Sequence, residues 1–114
     1  MNAIEKLNNI GCNTKEGLER CLNKADFFLK LLKMAVADNK VYELKDSINN
    51  KDFDKAFSIS HTLKGVYANL AITPLYNLFY TLTEELRAKE NKDYTNEINE
   101  IISLFEKVKE IVLE

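Results

Sequence analysis

Residues 53–70 read FDKAFSISHTLKGVYANL. Within this stretch Ala56, Ile59, Leu63, Val66, Tyr67 and Leu70 recur at spacings of three and four, the pattern of a helix with one apolar face. With Leu63 set at zero and about 100° per residue, those six fall within roughly 60° of zero and His61 falls near 160°. His61 is the only histidine among the 114 residues. The wheel places it mid-helix on the outward side, together with Asp54, Phe57, Ser58, Lys64, Gly65 and Ala68.

Core packing does not ask for an outward histidine, and its neighbours point to chemistry. Lys64 and Gly65 stand at i+3 and i+4 from His61, positions that are neighbours on a helix surface. A glycine inside a helix costs about 1 kcal/mol relative to alanine. That cost is offset if the missing side chain lets a large partner reach the ring. At neutral pH much of an unperturbed imidazole is neutral and carries a free ring nitrogen able to attack phosphorus. The Lys64 ammonium would then stabilise the negative charge of a phosphoryl group on that ring. Phe57, Ser58 and Ala68 are the expected partner-docking residues, with Phe57, Ala68 and Gly65 forming an apolar surface of low relief.

Other chemistries find little support. No serine or cysteine adjoins His61 in sequence to act as a nucleophile. Ser60 turns toward the core side, near 60° on the wheel, and reads as a partly buried capping or surface serine. Carboxylate pairs of the Glu-x-x-His type, which build metal sites in helical bundles, are absent, as are glycine-rich phosphate loops. No metal and no cofactor are therefore expected. The Phe and Leu stripes read as core.

Toward the N-terminus, Asn49-Asn50-Lys51-Asp52 reads as a turn, with Asp52 the N-cap of the histidine helix. Residues 24–49 read as one long helix starting after an Asn23 cap, with Asp38-Asn39 as a break or kink. Asn13 or Thr14 caps a short helix to about Leu22, with Glu16 completing a capping box and Leu18, Cys21 and Leu22 on the buried side. Ile4, Leu7 and Ile10 suggest a short amphipathic turn or helix ending at Gly11. Toward the C-terminus, Thr73-Pro74 is a start signal, threonine as cap and proline at the first helical position. Leu75, Leu78, Phe79, Leu82 and Leu86 give the next helix its apolar stripe, and the charged end, Glu84 to Glu90, reads as solvated. After the polar turn at Asn91-Lys92-Asp93, Ile98, Ile101, Phe105, Val108 and Val112 line a last helix. Three glycines, one proline and four long periodic segments with short connections point to an all-α domain, an antiparallel four-helix bundle with one or two short N-terminal helices.

The length suits a single domain over residues 1–114. Hydrophobic residues make up 46%, enough for one core, and a net charge of −2 from interspersed charges leaves no broad basic face, so nucleic acid is not an expected partner. Cys12 and Cys21 lack metal-ligand spacing and read as reduced thiols. Without a long apolar run or a secretion-type leader, the reading is a soluble, cytoplasmic monomer that does not engage a membrane.

His61-Thr62-Leu63-Lys64-Gly65, followed by Ala68-Asn69-Leu70, resembles the signature of histidine-containing phosphotransfer (HPt) domains of multistep two-component phosphorelays. Gly17-Leu18-Glu19-Arg20 and the later Phe28-Leu29-Lys30-Leu31-Leu32 run are similar to the start of the same family. The likeness covers residues 13–112, leaving 1–12 as an extension or short helix. It implies a four-helix bundle with one or two added short helices and no kinase or phosphatase activity of its own. By this resemblance His61 accepts a phosphoryl group from an aspartate of one response-regulator receiver domain and passes it to another. Lys64 would face the phosphate and Gly65 would provide clearance. A sensor or hybrid histidine kinase would stand upstream, and Mg²⁺ would belong to the receiver.

Two positions depart from the family pattern. Members commonly have glycine where this chain has Ala71, at the close of the histidine helix, so the turn there is expected to differ. In the following helix many place a glutamine or glutamate that hydrogen-bonds the imidazole; Thr83 stands there, an orienting residue only if its shorter hydroxyl reaches. The departures motivate one rival, a non-transferring helical module that binds receivers or kinases; a second, using the same histidine, is a chemotaxis-type phosphoacceptor domain labelled from ATP by a separate kinase.

Overall fold

A computed structural model describes all residues 1–114. The chain forms seven helices and no strand: α1 (Ala3–Asn9), α2 (Thr14–Arg20), α3 (Ala25–Ala37), α4 (Lys40–Asn49), α5 (Phe53–Asn69), α6 (Thr73–Arg87) and α7 (Thr95–Leu113). Each long helix buries one stripe: Phe28, Leu32 and Val36 of α3, Ala56, Leu63 and Tyr67 of α5, Leu75, Phe79 and Leu82 of α6, and Ile98, Ile101, Phe105 and Val108 of α7. The most extensive packing is between α5 and α6. From there the contacts close a circuit, α6 on α7, α7 on α4 and α4 on α5, with α3 also lying on α7. The body measures 42 × 23 × 21 Å. No helix is long and apolar enough to cross a membrane.

The segment 24–49 is two helices. Asp38 takes an extended conformation (φ −75°, ψ 138°) between α3 and α4. Its carboxylate accepts the Lys40 N–H at 2.8 Å, so the side chain restarts the helix that the backbone has interrupted. Both halves still pack on α7.

Five helices end in the same way, with a left-handed residue and paired bonds running back to the last turn. After α1 the residue is Gly11 (φ 98°), after α2 Leu22 (57°), after α4 Lys51 (57°), after α5 Ala71 (57°) and after α6 Lys89 (54°). At α5 the Ala71 N–H donates to the Ala68 carbonyl at 3.1 Å and the Ile72 N–H to the Tyr67 carbonyl at 3.0 Å, a Schellman motif. Alanine thus occupies a left-handed turn that suits glycine, where a different turn was expected. A β-carbon in this conformation costs about 1 kcal/mol, and burial of Ala71 and Ile72 offsets it.

Boundary expectations met mixed outcomes. Asn13 caps α2 through its side chain and Asp52 caps α5. Asn23 does not cap α3: with Leu22 it forms the left-handed close of α2, and Leu22 is 77% exposed instead of buried. Thr73 is the first residue of α6 and makes no capping bond, with buried Ile72 preceding it. The charged end of α6 is not wholly solvated. Glu85 is mostly buried and shares Lys92 with Glu97 of α7. Its contact with the Glu97 carboxyl, and then with Lys92, holds Glu85 below the ordinary carboxylate range, while burial raises Glu97.

Candidate functional site

Helix α5 is anchored at its start by Asp52, whose carboxylate accepts the Lys55 N–H at 3.3 Å. Ala56, Ser60, Leu63 and Tyr67 face inward from it. Tyr67 is wholly buried with its hydroxyl unpaired, and burial, helped by the Asp38 carboxylate, raises the phenol above its ordinary range. On the opposite side His61, Ser58 and Gly65 are exposed, and Phe57, Lys64 and Ala68 are half-buried. The helical period alone therefore put the histidine on the correct side.

The imidazole has a floor and no roof. The Phe57 ring lies parallel to that of His61, with centroids 5.9 Å apart and planes 3° from parallel. This is an offset stack between residues one helical turn apart. Side chains on a helix lean toward its N-terminus, so a side chain at 65 would lie back over 61. At Gly65 an added β-carbon would meet no atom within 4 Å. The space above the ring on that flank is open.

Helix α6 supplies the surroundings. The Lys64 ammonium lies over the Tyr80 ring, 5.6 Å from its centroid. The Arg87 guanidinium stands over the Phe57 ring at 5.0 Å, and Glu84 pairs with Arg87 at 3.5 Å. From α2, Arg20 donates to the Ala68 carbonyl at 2.5 Å and pairs with Glu16, tying the short helix to the C-terminal half of α5.

Thr83 does not orient the imidazole. It is wholly buried, and its hydroxyl shares a hydrogen bond with Ser60 at 2.7 Å. Ser60 is correspondingly a core residue, also directed at the Phe79 carbonyl at 3.4 Å, not a capping or surface serine. The two hydroxyls satisfy each other where α5 meets α6, on the face away from His61.

Tyr80, Arg87 and Arg20 escaped the sequence reading. Tyr80 and Arg87 are seven residues apart and so share a face of α6, but nothing local says which face meets α5. Arg20 reaches Ala68 across 48 positions of sequence, and no local pattern carries that. No group of three or more His, Cys, Asp or Glu side chains is arranged to hold a metal ion. Cys12 and Cys21 are unpaired and buried, and burial pushes the Cys12 thiol up to about 12. Comparisons with protein-family models, with curated proteins and with solved structures gave no significant match.

Proposed function

We propose that the chain is a phosphorelay intermediate, a four-helix phosphotransfer bundle in which the interrupted α3–α4 segment, α5, α6 and α7 form the bundle and α1 and α2 are the added short helices. His61 accepts a phosphoryl group from a receiver-domain aspartate and passes it to a second receiver. The free ring nitrogen forms the N–P bond as the aspartyl O–P bond breaks, and the carboxylate leaves with the electron pair. The reverse exchange loads the next aspartate. Lys64 is one turn away to meet the phosphoryl charge, and Mg²⁺ is supplied by the receiver. The chain needs no cofactor and performs no kinase chemistry. Its partners are response-regulator receiver domains, with a sensor or hybrid histidine kinase upstream.

One observation carries this reading: Gly65 is a helical glycine beside an exposed histidine, and nothing within the fold needs the space it leaves. Folding alone would favour alanine there by about 1 kcal/mol, so the use of the gap lies outside the molecule. Incubation with a phosphorylated receiver should label the protein with acid-labile, base-stable phosphate, and His61→Gln should abolish the label. Label retained in that variant would remove the assignment.

The burial of Thr83 against Ser60 favours a second reading, a bundle that binds receivers without passing phosphate, since the expected orienting group is engaged elsewhere. It predicts receiver binding indifferent to His61→Gln and no label in the unmodified chain.

A further inference from the structure

We propose that Phe57 is a positioning residue for His61, holding the imidazole by its ring face where a hydrogen bond from position 83 is lacking. The inference rests on the reading of His61 as the phosphoryl acceptor.

An exposed histidine on a helix has two accessible staggered orientations about its first side-chain torsion, because the third drives the ring into the preceding turn. A nucleophile that must meet phosphorus in line gains from having only one populated, since a poorly aligned ring lowers the fraction of encounters that react. A side-chain hydrogen bond to one ring nitrogen would accomplish this. Here no such bond is available from Thr83, whose hydroxyl is committed to Ser60 in the core. The 3° angle between the Phe57 and His61 planes supplies a different constraint. Stacking fixes the plane of the ring while leaving both nitrogens at its edge unoccupied by protein groups.

The floor is itself held. Phe57 is half-buried and packed against the core, and Arg87 lies over its ring at 5.0 Å. Glu84, one turn back on α6, pairs with that guanidinium. The line Glu84, Arg87, Phe57, His61 thus runs from α6 to the reacting ring, and the role expected of position 83 passes to its neighbours on the same helix. Phe57 is more than the docking residue expected from its place on the wheel.

Because His61 is the only histidine, its ring and β-proton signals can be read without ambiguity in the isotopically labelled full chain. Three-bond couplings in the free protein should report one dominant side-chain orientation. Phe57→Leu should average the couplings, and Phe57→Tyr should restore them. In transfer from a phosphorylated receiver, Phe57→Leu should lower kcat roughly threefold to tenfold, in addition to any rise in KM from its docking contact. Phe57→Tyr should recover the rate, and Arg87→Gln should give a smaller loss of the same kind. Unchanged couplings in Phe57→Leu overturn the proposal, as does a rise in KM at constant kcat, which is the signature of docking alone. If the unmodified chain takes no phosphate from any receiver, the relay reading fails on its own account, and the couplings still decide whether Phe57 positions the ring.

Discussion

Gly17 and Gly65 both lie inside continuous helices, and they do so for opposite reasons. At Gly17 in α2, a β-carbon would stand 2.6 Å from Cε1 of the buried Phe28 and 3.0 Å from the Leu70 carbonyl. That glycine exists because α2, α3 and the end of α5 converge on one point. At Gly65 a β-carbon would meet nothing within 4 Å. The same residue type marks the closest internal approach in one place and an unfilled surface in the other. The packing around a helical glycine, more than its presence, separates a folding requirement from a functional one.

Substitution should make that contrast measurable. Gly17→Ala should cost the most, about 1–3 kcal/mol in denaturant unfolding, because Phe28 is locked in the core and the Leu70 carbonyl is backbone. Any gain in helix propensity is smaller than this. Gly65→Ala should do the reverse, raising stability by up to about 1 kcal/mol while slowing transfer from a phosphorylated receiver. A Gly65→Ala protein that is both more stable and fully competent in transfer would remove the clearance role. Ala71 is the complementary case, a position where the backbone suits glycine and the chain lacks it. Ala71→Gly should leave transfer unaltered and change stability by under about 1 kcal/mol, with relief of the left-handed strain set against the entropy and burial that glycine gives up. Thermal unfolding of the three variants side by side would rank them.

The histidine helix was legible because its evidence is local. Six apolar residues at helical spacing define an inward face, and an angle of about 160° then suffices to expose His61. The caps at Asn13 and Asp52 were legible for the same reason, since each bonds a backbone N–H three residues away. Position 83 was not. Its count along the chain from His61 suggested an orienting role, but whether its side chain faces the imidazole or the core depends on how α6 is rotated against α5. The Ser60–Thr83 hydrogen bond shows it facing the core. Leu22 misled in a related way: its hydrophobicity suggested burial, yet it takes the left-handed position that ends α2 and points to solvent. The break at Asp38 lay between these cases, marked in sequence by a polar pair and settled by one side-chain bond to Lys40.

By itself the sequence determined which segments are helical, which face of α5 turns inward, and that His61, Lys64 and Gly65 share the outward face. All of these follow from spacing along one chain, where each residue's direction is set by its own backbone. Tertiary structure decided what other helices bring to that face: Arg87 over Phe57 and Tyr80 beneath Lys64 from α6, Arg20 on the Ala68 carbonyl from α2, and nothing over Gly65. Those relations depend on the rotation and register of one helix against another, which are set by the summed packing of the whole core and by no local pattern.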